Sequence, residues 1–236
     1  GIVTHLDHLS ALGVDVVWLS PAYRSPMDDN GYDISDYSDI DPMFGTLADM
    51  DALIDGLHSR GMKLVMDLVV NHSSDEHEWF KQARSARTNP YRDYYHWWPA
   101  EKGKPTPRWS FFDVNSDAWR YDSLTNAYYL HYFSRKQPDL NWENPEVRRA
   151  VYSMMNWWLD RGVDGFRMDV INLISKTYPL ADGPVNGPAG LSYDPSLVVE
   201  GPRLHEFLRE LNREVGIEDR ELFSVGEMIL VDVEQA

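Results

Sequence analysis

"GVDGFRMDV", residues 162–170, is an apolar stretch that carries an arginine and an aspartate two positions apart. Side chains alternate across a strand, so parity sorts the stretch into two faces. Phe166, Met168 and Val170 form one apolar row, suited to packing under helices. Gly165, Arg167 and Asp169 form the other, which puts a guanidinium and a carboxylate on one face where the strand ends. A structural ion pair would account for that much, so the rest of the chain has to decide.

The unit that precedes this stretch recurs along the chain: amphipathic helix, glycine, short apolar strand, polar residues. In the first copy Ile2, Leu6, Leu9 and Leu12 fall at helical spacing, Gly13 stops the helix, and "VDVVWLS" follows. The second opens on Thr46 with Asp49 three residues on, a capping box with the shorter acid. Its apolar face is Leu47, Met50, Leu53, Ile54 and Leu57, and after Gly61 comes "MKLVMDLVV". The third starts at Asn144 and Pro145, runs through Val147, Val151, Met154 and Trp158, and stops at Gly162. A fourth, from Pro202 through Leu204, Phe207, Leu208 and Leu211, leads into "ELFSVGE".

Helices alternating with buried parallel strands define an α/β architecture, either a closed (β/α)8 TIM barrel or a doubly wound sheet. No glycine-rich phosphate loop follows any of these strands, whereas three end in an acid: Asp67, Asp169 and Glu227. Barrel enzymes gather their chemistry at that rim, so the barrel is expected. Four such units do not close eight strands, and the chain opens inside a helix; an incomplete, internal segment is expected. Residues 1–72 are assigned to the first part of the barrel and 144–236 to its continuation. Residues 73–143, long and rich in Trp, Tyr and Pro, are assigned to a small inserted α+β subdomain over the barrel mouth. Within it "NAYYLHYFS" has strand character, and residues 178–196 are expected to form a Pro/Gly-rich lid at the rim.

Composition narrows the function. A net charge of −16 argues against nucleic-acid or anionic-membrane partners. No apolar run reaches the length of a membrane span, and no signal peptide is expected ahead of Gly1. With no cysteine there is no disulfide framework or thiolate chemistry, which fits a cytoplasmic location. Nine Trp and thirteen Tyr suit the CH-rich faces of sugars, although core packing accounts for most aromatics, including Trp157 and Trp158 beside Met154 and Met155.

Two acids ending adjacent barrel strands can divide the work at a glycosidic bond, one attacking the anomeric carbon and the other protonating the departing oxygen. Arg167 is expected to keep Asp169 ionised by its charge, and Val225 and Met228 to give Glu227 the less polar setting that holds a proton. His72 and His77 flank Asp75 and Glu76, but a five-residue spacing does not stack two ligands on a helix face. "SSDEHEWFKQ" is instead expected to be capping serines followed by acids in a first turn.

Several motifs, in order, resemble the α-amylase superfamily, glycoside hydrolase family 13, and within it the oligo-1,6-glucosidase and α-glucosidase branch. "DLVVNH" (67–72), "GFRMDVIN" (165–172) and "VGEM" (225–228) resemble the family's first three signature regions. "QPDLNWENP" (137–145) and "DDNGYDISDY" (28–37) resemble features of the branch. The resemblance covers essentially the whole chain. It implies Asp169 as nucleophile, Glu227 as acid/base and Arg167 as the group that orients Asp169. It further implies His72, Tyr32 and Asp29 around the reacting glucose, with Phe133, Gln137 and Phe112 lining the pocket from the inserted subdomain, and Asp67 holding the first-region loop together.

The implied activity is that of a retaining, exo-acting α-glucosidase on isomalto- or malto-oligosaccharides, with α-1,6 bonds favoured because Val170 follows the nucleophile. The same scaffold also supports glucosyl transfer or sucrose isomerisation. A non-catalytic, transporter-associated relative would have lost the acids and gained an anchor. The family's fourth signature, a His–Asp pair, and its aspartate-rich cation loop are absent from this sequence. No cofactor, metal ligand or protein partner is therefore expected in these residues, and a structural Ca2+ would belong to a segment before Gly1.

Overall fold

In the computed structural model, residues 1–113 and 115–232 are described. A 3-10 turn (Ile2–His5) runs into α1 (Leu6–Ala11), β1 (Val16–Leu19), β2 (Tyr23–Arg24) and β3 (Asp36–Ile40). Next come α2 (Leu47–His58), β4 (Lys63–Leu68) and α3 (Glu78–Ala83). β5 (Trp97–Pro99), β6 (Trp119–Asp122) and β7 (Ala127–Leu130) precede α4 (Pro145–Arg161) and β8 (Gly165–Met168), and α5 (Leu204–Val215) leads to β9 (Phe223–Gly226).

The main sheet has the order β1-β4-β8-β9, all parallel. Strand order follows chain order without reversal. A doubly wound sheet turns back at its switch point, while a barrel keeps winding one way, so this order matches the barrel. Register then does functional work: Asp67 sits opposite Arg167, and Met168 opposite Gly226. Gly165 makes the β8–β9 approach possible, since a Cβ there would lie 1.9 Å from the Phe223 carbonyl oxygen.

Helix boundaries follow their caps. Thr46 and Asp49 exchange both hydrogen bonds of a capping box at α2. Asn144 accepts from the Glu146 amide at α4, Pro145 takes the first turn, and Gly162 ends the helix in a left-handed conformation. Their buried faces, Met50, Leu53, Ile54 and Leu57 on α2 and Val147, Val151, Met154, Met155 and Trp158 on α4, pack on the sheet through Leu64, Met66, Leu68 and Phe166. Each large side chain so buried contributes about 1.5–3 kcal/mol.

Three expectations need correction. The first helix is not one amphipathic run: Ile2 and Leu12 are exposed, and only Leu6 is buried. At α3 the cap is His77, whose Nδ1 accepts from the Trp79 amide at 3.0 Å, while Ser74 takes only the Glu76 amide. Val170 leaves the row of Phe166 and Met168, because β8 ends at Met168. At φ 37° it turns into a second apolar cluster with Trp109, Tyr132, Leu173 and Leu191.

Residues 73–143 hold α3 and an antiparallel sheet ordered β5-β7-β6, with "NAYYLHYFS" supplying β7. This segment is fastened to the main sheet where it returns: Leu140 donates its amide to Asn71 O, and Trp142 Nε1 donates to Val70 O at 2.8 Å. Among the described residues, no helix is long and apolar enough to cross a membrane.

Candidate active site

The C-terminal ends of β4, β8 and β9 bring three carboxylates onto one guanidinium. Arg167 Nη1 donates to Asp169 Oδ1 at 2.7 Å and to Asp67 Oδ1 at 3.1 Å, and Nη2 meets Glu227 Oε2 at 2.8 Å. Backbone bonds hold the two strand ends: the Asp169 amide donates to Leu68 O, the Glu227 amide to Met168 O, and the Ile171 amide to Glu227 O. Val170 adds its own amide to Glu227 Oε2 at 3.2 Å. A β-branched residue is rare in the left-handed region and costs about 1–3 kcal/mol, so this turn is held in place by its surroundings.

Charge balance differs from the expectation for Asp169. Burial, followed by the neighbouring Asp67 charge, pushes its carboxyl up to about 7 against the opposing pull of Arg167. Asp67 is itself pushed up to about 6 by burial, with Arg167 acting against the shift. One guanidinium shared between Asp67 and Asp169 does not offset the desolvation of these two acids. The Glu227 side chain is 41% exposed; of its two apolar neighbours, Val225, opposite Arg167 in the register, is exposed on β9, while Met228 packs against the core. Asp67 holds more than its own loop, accepting from Trp18 Nε1 at 3.2 Å and Tyr32 OH at 3.3 Å as well as from Arg167.

Tyr32 links this cluster to a second one. His72, almost fully buried, lies with Nε2 3.2 Å from Tyr32 O and 3.1 Å from Gln137 Nε2. Gln137 also donates to Asp29 Oδ2 at 2.9 Å. Burial lowers His72 to about 4, with Asp139 opposing, so its ring is neutral near pH 7 and can donate and accept. Burial raises Asp29, which Gln137 resists by hydrogen bonding. Phe133 meets the His72 ring at 5.0 Å and stacks on Phe111, whereas Phe112 is exposed and touches the group only through Phe133.

One device escaped the sequence reading. Lys176 is buried, and its Nζ contacts Asn71 Oδ1 at 3.0 Å, Leu173 O at 2.9 Å and Asp139 Oδ2 at 3.0 Å. It thereby ties the end of β4, the turn after β8 and the return from residues 73–143 to one charge. The available signal was a lone lysine closing the apolar run "VINLIS", but its partners lie far away in sequence. Among the described residues, no group of three His, Asp or Glu side chains is placed to hold a metal.

Parallel strands ending in paired acids around an arginine, at the rim where barrel enzymes carry their chemistry, are an arrangement that can serve acid–base and nucleophilic work on one bond. A family model described as alpha amylase, catalytic domain, matches residues 1–236, and the chain belongs to that family, glycoside hydrolase family 13. It is 58% identical over 227 residues to an oligo-1,6-glucosidase of Parageobacillus thermoglucosidasius, covering 96% of this chain and 40% of the relative. It is 56% identical over 227 residues to an α-glucosidase of Pediococcus pentosaceus, again covering 96% of this chain and 40% of the relative. Among solved structures, trehalose-6-phosphate hydrolase of Bacillus licheniformis superposes with a TM-score of 0.90 at 45% identity, over 99% of this chain and 41% of that one. The isomaltulose synthase of Protaminobacter rubrum gives 0.89 at 41% identity, over 100% and 41%. The chain thus spans about two fifths of the length of the relatives it matches.

Proposed function

We propose that the protein containing this chain is a retaining, exo-acting α-glucosidase that hydrolyses terminal α-glucosidic bonds of isomalto- and malto-oligosaccharides, with α-1,6 favoured. One observation carries the reading: Asp169 and Glu227 occupy the two terminal nitrogens of Arg167 at the ends of adjacent parallel strands. Two acids held on one side chain in this way are placed to divide attack and protonation on a single bond.

Asp169, as the carboxylate, attacks the anomeric carbon and forms a β-glucosyl ester while Glu227 donates a proton to the departing oxygen. Glu227 then takes a proton from water as the water attacks the same carbon, the ester bond to Asp169 breaks to return its carboxylate, and α-glucose leaves. Atoms and charge balance without a cofactor. Arg167 stabilises the ionised nucleophile before attack and is released from that charge as the ester forms. His72, Asp29 and Tyr32 grip the terminal glucose, and Gln137, Phe133 and Phe112 line the pocket from residues 73–143, an inserted subdomain over the mouth. A cytoplasmic location fits a cysteine-free acidic chain.

In the full-length protein, D169N should abolish release of p-nitrophenol from the α-glucoside, and NMR of the first sugar formed by the parent should show the α-anomer. Retained activity removes the nucleophile, and initial β-glucose removes the double displacement. Likeness to an isomaltulose synthase supports glucosyl transfer or isomerisation as a second reading. Comparing kcat/KM on isomaltose, maltose and sucrose separates them, and a maltose preference would overturn the α-1,6 assignment. Val170 packs in the apolar cluster directly after the nucleophile, and a methyl-sized change there is worth about 1–3 kcal/mol of discrimination.

A further inference from the structure

Asp33 is fully buried, and its partners are neutral donors from a single turn. Its Oδ1 accepts from Ser25 Oγ at 2.9 Å and from the Asp29 amide at 3.0 Å, and its Oδ2 accepts from the Asp28 amide at 3.0 Å. Ser25 Oγ also accepts from the Met27 amide at 2.9 Å, so the carboxylate organises residues 25–29 as a unit. The side chains of that turn face the other way. Asp28 accepts from Ser134 Oγ at 2.9 Å and pairs with Lys136 at 3.2 Å, and Asp29 accepts from Gln137 at 2.9 Å. The Tyr32 amide, next to Asp33, donates to Asp29 O at 2.9 Å, while Tyr32 O lies against His72.

From this geometry we propose that Asp33 is a positioning residue for sugar binding: its buried carboxylate fixes the amides of residues 28 and 29 from beneath, and so aims Asp29 at the glucose. Its role rests on the α-glucosidase reading above and goes one layer deeper into the same site. A carboxylate is needed because it only accepts. Asparagine has the same shape, but in either orientation its NH2 group would face a backbone N–H, and the turn would be pushed away from its seat. Asp33 lies beneath the turn and makes its hydrogen bonds to Ser25 and the amides of residues 28 and 29; its charge is also felt through space by Asp29 and His72, but the geometric part of its effect passes through Asp29.

A double-mutant cycle on the full-length protein tests this. D33N is expected to raise KM for p-nitrophenyl α-glucoside by about tenfold while kcat changes by less than about threefold. In a D29A background the same substitution is expected to move KM by less than about twofold, because the residue it acts through is gone. A D33N enzyme with the parent's KM, or effects of D33N and D29A that multiply independently, would overturn the assignment. Should D33N lose the parent's cooperative thermal transition, S25A carries the test, since it removes one of the three donors from a half-buried site. A KM raised by about two- to threefold and erased by D29A supports the role, and an unchanged KM overturns it. A parent protein inert toward the glucoside fails the underlying reading and this proposal with it, whereas an active parent with independent variants fails this proposal alone.

Discussion

Arg167 reaches Asp169 at 2.7 Å through Nη1 and Glu227 at 2.8 Å through Nη2, so a single planar group sets the relative position of both acids. Lysine offers a point charge in place of a planar fork and so does not hold two carboxylates at fixed, separate positions. R167K is therefore expected to lower kcat by about a hundredfold or more with a smaller change in KM, read from steady-state kinetics on the α-glucoside. An R167K enzyme within about threefold of the parent would show that the fork does not organise the acids.

Burial raises Asp169 to about 7 and Asp67 to about 6, so the folded protein binds protons more tightly than the unfolded chain between the ordinary carboxylate range and about 7. Stability therefore falls as pH rises through that window. D169N removes a buried charge and is expected to raise Tm near pH 8 by several degrees, at about 2–4 °C per kcal/mol, with the difference vanishing near pH 4. Calorimetry at the two pH values checks the sign.

Activity carries a related signature. The attacking acid must be ionised, so kcat/KM should fall as pH drops through about 7. The Asp67 charge contributes to the raised Asp169 value, and D67N is expected to move this acid limb to lower pH. A limb unmoved or shifted upward in a pH–rate profile would contradict the coupling.

Lys176 is the cation for the buried Asp139. K176M leaves that carboxylate uncompensated and should cost about 3–5 kcal/mol, read by urea denaturation. The double variant K176M/D139L, apolar on both sides, is expected to recover most of the loss. Recovery would place the cost in the stranded charge and not in lost packing.

Gly165 tolerates no side chain, because a Cβ would sit 1.9 Å from Phe223 O. G165A is expected to part β8 from β9 and with them Arg167 from Glu227, giving a drop in both Tm and kcat. A conservative surface substitution on α5, such as R209K, should change neither by a measurable amount.

Much of this was legible in the sequence because the signals are local. Thr46 with Asp49, and Asn144 with Pro145, announce helix starts that the backbone then uses. Alternation in "GFRMD" puts Phe166 and Met168 on one face, whereas His72, Gln137, Asp29 and Tyr32 are grouped only by the family resemblance, and the fold joins them by hydrogen bonds. Val170 broke the pattern because the chain stops being a strand before it, and alternation applies only inside one.

The helix–strand rhythm, the acids at strand ends and the family can be read from the residues alone, since each depends on neighbours a few residues apart or on motifs in order. The protonation balance of Asp169, the cap taken by His77 and the seats of Lys176 and Asp33 emerge when the chain folds. Burial and Coulomb interaction depend on distance through space. Asp67 and Arg167 are a hundred residues apart along the chain and 3.1 Å apart in the fold.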